Sequence, residues 1–140
     1  MPHRNSGRNP TSKVAIMSAD LQSLLARVEA ASGPDRELDR DICRSCGDQV
    51  CQDPLSGFSW RATAPGGWQD VPDLTASVDA ALALVERVLP GAEWEASLLS
   101  SLYLFELGDP LLAWAGEGPT LPLAILAALL KAKIAQGGEA

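Results

Sequence analysis

The residues with the most chemical reach are Cys43, Cys46 and Cys51, the first two framing a Cys43-Arg44-Ser45-Cys46 run. Thiolates at C-x-x-C spacing can share a zinc ion or cycle through a disulfide. A closed structural zinc site needs four ligands. The chain has three cysteines, its one histidine is His3, and Asp48 and Asp53 are the nearby carboxylates, so the fourth ligand is a poor one. A redox C-x-x-C opens a helix after a strand. This one falls where a helix is expected to end, before Gly47. The plainer reading makes Cys46 a core residue and Cys43 a residue nearer the surface, with no metal and no cofactor. A small zinc or thiol-redox protein built on Cys43, Cys46 and Cys51 stands as an alternative.

Asp35, Glu37, Asp39 and Asp41 crowd the segment before the cysteines, with Arg36, Arg40 and Arg44 at i, i+4 and i+8. Two carboxylates can divide acid and base work, but interleaved arginines neutralise them by local pairing. The segment therefore reads as a solvated helix face. With His3 alone, no Ser-His-Asp or Cys-His arrangement can be assembled. Pro65-Gly66-Gly67-Trp68 reads as a turn and carries no phosphate-cradling pattern. No catalytic residue is assigned, and the chain is expected not to be an enzyme. Four tryptophans remain: Trp94 and Trp114 are expected in the core, while Trp60 and Trp68 lie in a loop, and Trp68 is the interaction candidate.

These residues belong to a chain of 140 residues with 46% apolar and 21% charged residues, the composition of a folded globular protein. The net charge is -7, which argues against direct nucleic-acid binding through phosphate contacts. Arg4, Arg8 and Lys13 make the first sixteen residues basic. Residues 1–17 show no apolar period and read as a disordered leader, with Met17 as a plausible alternative start. No export signal or membrane span is legible, so a cytoplasmic setting is expected.

Ser18 is expected to cap a first helix, with Leu21, Leu24, Leu25 and Val28 as its apolar stripe. Pro34 suits the first position of a second helix, in which Leu38, Ile42 and Cys46 share a face and Gly47 is the stop. Residues 48–73 read as a long irregular connection with one short strand at 58–62. A third helix follows, capped by Thr75 or Ser77 and lined by Val78, Ala81, Leu82, Val85 and Leu89. The period then changes to two, giving strands at 93–98, 102–107 and 111–115. Trp94, Ala96 and Leu98 form the buried face of the first. Thr120 caps a last helix over residues 121–136, with Pro122 tolerated in its first turn. Leu123, Leu126, Ala127, Leu130 and Ile134 line one face of it, and Leu121, Ile125 and Leu129 a second. A helix apolar on most of its circumference is either central to the core or shared with another subunit.

The expected fold is α+β, a single domain over residues 18–136 with helices packed on a small antiparallel three-stranded meander and a tail at 137–140. The last five elements follow the order of a double-stranded-RNA-binding domain, but Glu117 precedes the final helix and no lysine follows before Lys131, so only the topology is retained.

Four segments carry a resemblance. They are residues 24–42, with LLARVEAA, Ser32-Gly33-Pro34 and RELDRDI; residues 72–82, PDLTASVDAAL; Trp94; and residues 118–129, with GPTLPLAI and AAL. Together they resemble small uncharacterised proteins of tailed phages and prophages related to the phage ABA sandwich domain family. The chain departs at Leu74, where the family usually has an aromatic residue, and at Pro119-Thr120-Leu121-Pro122, where it usually reads Ala-Thr-Pro-Ala. The resemblance implies helix-sheet-helix layering and a phage origin, and it brings no catalytic residues.

The expected function is that of a non-enzymatic phage or prophage accessory protein acting by binding another protein, with a homodimer through Leu121, Ile125 and Leu129 of the last helix. An acidic inhibitor of a host nucleic-acid enzyme is the alternative, because negative surface charge can imitate phosphate.

Overall fold

The computed structural model describes residues 10–47, 50–52, 55, 59–63, 67–109 and 112–137. The side chains at 10–19, 51–52, 59–63, 67–69, 109, 112 and 137 lie outside that description. So do His3, Asp48, Asp53, Pro65, residues 1–9 of the expected leader and residues 138–140 of the tail.

Helix α1 runs Pro10–Ala30, eight residues further back than its expected start. Nothing between Pro10 and Ala30 breaks a helix, and proline suits a first helical position. Ser18 is therefore interior to α1 and not its cap, and residues 10–17 are helical where a disordered leader was expected. Leu21, Leu24 and Val28 form the buried stripe as expected.

Helix α2 is Arg36–Ser45. Its cap is Asp35, whose carboxylate accepts from the Leu38 N–H at 3.1 Å, and so Pro34 stands outside the helix. The buried side chains are Leu38, Asp39, Ile42 and Cys43, a stripe at i, i+1, i+4 and i+5. Cys46 is the C-cap and Gly47 follows at φ +96, the left-handed turn that glycine permits.

The connection expected to be irregular holds a three-stranded antiparallel sheet: β1 Val50–Gln52, β2 Ser59–Thr63 and β3 Gly67–Asp70. Only the middle strand had been expected. Strands of three to five residues between Gly, Pro and Asp leave too little alternation to read.

Helix α3 is Val78–Val88, and Ser77 is its cap, accepting from the Ala80 N–H at 3.1 Å. Its buried residues are Ala81, Leu84 and Val85. Ser77→Ala should lower stability by about 1 kcal/mol in chemical denaturation, with the transition slope unchanged.

The second sheet is the expected meander: β4 Trp94–Leu99, β5 Leu102–Asp109 and β6 Leu112–Gly118 in spatial order β4-β5-β6. Ser100, at φ 57, makes the tight turn between the first two. Helix α4, Leu121–Gly137, starts at Thr120, whose Oγ1 accepts from the Leu123 N–H at 3.5 Å. The α+β fold class is as expected.

α4 is the centre of the molecule. It lies across β6 and β5 on one side and against α1 and α3 on the other. Residues 123–130 are all fully buried. The backbones approach most closely at Gly116 of β6, where a Cβ would overlap the Ala124 carbonyl oxygen and come within 2.5 Å of the Ala128 nitrogen. Phe105 and Leu107 of β5 complete the layer beneath the helix.

Candidate interaction surface

Strand β4 carries the unusual surface. Cross-strand register pairs Trp94 with Leu107, Ala96 with Phe105 and Leu98 with Tyr103, so the six share one face of the sheet. This is the face that α4 covers, because Phe105, Leu107 and Gly116 are buried on it. The helix covers β6 and β5 and stops short of β4. Trp94, expected in the core, is 49% exposed and Leu98 is 60% exposed. The alternation gave the correct facing, but it carries no information on whether a layer lies over that face. Trp94 stacks on Phe105, with ring centroids 5.4 Å apart, so its position is fixed even though half of it meets solvent. Leu99 and Leu102 add exposed apolar area at the β4–β5 turn.

The backbone of β4 is open along the same line. The Gly108 N–H donates to the Glu93 carbonyl at 2.8 Å. Bonded pairs alternate along an antiparallel ladder, so Glu95, Ser97 and Leu99 also turn their backbone groups toward β5. Those of Trp94, Ala96 and Leu98 turn outward. Among the described residues no strand pairs with them. The opposite edge of the sheet differs. There the same alternation turns the Ala115 carbonyl outward from β6, and Lys131 Nζ donates to it at 2.7 Å. A lysine charge beside a sheet edge disfavours strand addition.

The other expected residues fall elsewhere. Ile125 and Leu129 are fully buried within one chain, and Leu121 is half-buried at the start of α4. The second apolar face of α4 is therefore core against α1 and α3 and not a surface for a second subunit. Charged residues at Ile125 or Leu129 would enter the core. Trp114 of β6 is half-buried. Trp68 lies on strand β3, paired with Ala62, and not in an open loop.

The cysteines are arranged the other way round from expectation: Cys43 is 1% exposed, and Cys46 is half-buried at the helix end. The helix stops at Ser45, one residue before Cys46 could extend the core stripe. Cys51 is on β1, and its side chain lies outside the described residues. Among the described residues no three His, Cys, Asp or Glu side chains converge as metal ligands would.

The charged face of α2 is partly a solvated one. Arg44 pairs with Asp41 at 2.9 Å, and Arg27 of α1 reaches Asp41 at 2.8 Å. Asp39 is different, for it is 1% exposed. Its Oδ1 accepts from the Thr75 N–H and the Thr75 hydroxyl, both at 2.8 Å, and its Oδ2 accepts from Arg36 Nη1 at 3.0 Å. Thr75 Oγ1 in turn accepts from the Asp35 N–H at 2.7 Å. Arg36 also donates to Asp73 at 2.6 Å and to the Val71 carbonyl at 3.0 Å. Burial holds the Asp39 carboxyl above the ordinary aspartate range, while the hydrogen bonds from Thr75 and the charge of Arg36 pull the other way. Thr75, weighed as a helix cap, instead ties the entry of α3 to α2. The cluster joins two of the segments on which the family resemblance rests, and its oxygens are occupied by structural partners.

Among the described residues no helix is long and apolar enough to cross a membrane. Comparison with family models, with curated proteins and with solved structures finds no match to this chain.

Proposed function

We propose that the chain is a non-enzymatic accessory protein of a phage or prophage that works inside the host cell by protein–protein contact through β4. The observation that carries this reading is the uncovered apolar strip of Trp94 and Leu98 along a strand edge that no strand pairs with among the described residues. Contiguous exposed apolar area on a small protein marks a contact surface. A half-exposed tryptophan held in place by stacking on Phe105 is the kind of anchor that dominates such contacts. The phage assignment rests on the sequence resemblance over residues 24–42, 72–82 and 118–129.

The test is affinity capture from a bacterial host extract with the wild-type chain and with Leu98→Lys as bait. A specific set of proteins retained by the wild type and lost by the variant is expected. Identical retention by both would overturn the reading. So would retention of nothing by the wild type.

A further inference from the structure

We propose that the partner of the β4 edge is a second copy of this chain, added antiparallel about a twofold axis through Ala96 to make one six-stranded sheet. The inference rests on the reading of β4 as a contact surface and goes further by naming what binds there.

The edge fits itself in three respects. The first is hydrogen bonding. The outward backbone groups belong to Trp94, Ala96 and Leu98. With the axis at Ala96, these residues meet Leu98, Ala96 and Trp94 of the second copy. All are then bonded pairs, giving about six new backbone hydrogen bonds. The second is facing. A twofold axis normal to the sheet keeps the same face up in both copies, so Trp94 packs on Leu98 of the second copy. The two apolar strips left bare beyond α4 become one. The third is charge. Glu95 falls opposite Ser97 of the second copy, whereas an axis at Glu95 would set the two glutamates directly opposite each other. An axis at Ser97 would move Trp94 opposite Ser100, in the turn, and lose a bonded pair. Only the Ala96 axis satisfies all three conditions.

The test is sedimentation velocity of the full chain across a range of about 1 to 200 µM, a span suited to an interface of this small size. A reversible monomer–dimer equilibrium is expected. Ala96→Pro removes an N–H that points away from β5, so it deletes dimer bonds and no bond within the chain. Leu98→Lys places a charge on the strip at a position already exposed in the monomer. Each should weaken the dimer at least tenfold with the circular-dichroism spectrum unchanged. If Ala96→Pro disturbs folding, Leu98→Lys alone decides. A wild type that stays monomeric throughout would overturn the inference. A dimer that both variants leave intact, or open-ended oligomers, would also overturn it. A monomeric wild type that still captures a host protein through Leu98 would sink the second copy and leave the proposed function standing. A β4 dimer that captures nothing would do the reverse.

Discussion

Gly116→Ala should lower the stability of the protein by about 3 kcal/mol or more. The added methyl would meet the Ala124 carbonyl oxygen, the Ala128 nitrogen and the Ala127 Cβ at once. Two of these are backbone atoms of the central helix, so no rotamer change relieves the overlap. Either α4 lifts from β6 or the strand bends. Both movements open the layer that contains Phe105, Leu107, Leu123 and Ala127. Overpacking of a core commonly costs about 1–3 kcal/mol, and more where neither partner can yield. About 3 kcal/mol or more is expected here, a large share of the about 5–15 kcal/mol that holds a domain together. Chemical denaturation and thermal melting followed by circular dichroism would measure it. Gly33→Ala is the matched control, since a Cβ there meets open space. A Gly116→Ala melting point close to that of the Gly33→Ala protein would show that α4 and β6 do not pack as described.

Asp39→Ala should also be destabilising, by about 1–3 kcal/mol. It strips the acceptor from the buried Thr75 N–H, and an orphaned donor costs about 1–3 kcal/mol, while the Thr75 hydroxyl keeps the Asp35 carbonyl at 3.2 Å. Arg36 adds little to the loss, because it is partly exposed and keeps Asp73 and the Val71 carbonyl. Asp39→Asn retains an oxygen toward Thr75 and should lose less. The pH dependence has a definite sign. The folded protein binds the Asp39 proton more tightly than the unfolded chain, whose carboxyl titrates near 3.8. Stability contributed by the protonated form is fully present below that value and is lost as pH rises through the higher folded value. The stability of the wild type relative to Asp39→Asn should therefore fall as pH is raised from about 3 to about 7. A difference that grows over that range would mean the charged form is the favoured one in the fold.

Much of the second half of the chain could be read from its residues, because periodicity and punctuation agree there. Trp94 to Leu99 alternates, and Thr120 with Pro122 opens a helix. The first sheet was hidden because strands such as Val50–Gln52 are too short to show a period. α4 was ambiguous for a physical reason. Apolar residues all around a helix say that every side is covered, and they do not say whether α1 and α3 or another subunit does the covering. Trp94 shows the converse, since its alternation marks the core side of the sheet in a place the helix does not reach. Asp39 was missed because counting charges placed it among its neighbours. Its offset from Leu38 and Ile42 puts it in the buried stripe, and that was the available signal.

Lys131 has a consequence for assembly. Sheets with two free edges can add strands without limit, which is the route to filaments. By donating to the outward Ala115 carbonyl, Lys131 fills one acceptor of the β6 edge and sets a charge beside it. Under the proposed β4 pairing, the two β6 edges are the ends of the six-stranded sheet, and a Lys131 ammonium stands at each. Lys131→Met should therefore shift the chain toward larger oligomers in sedimentation velocity.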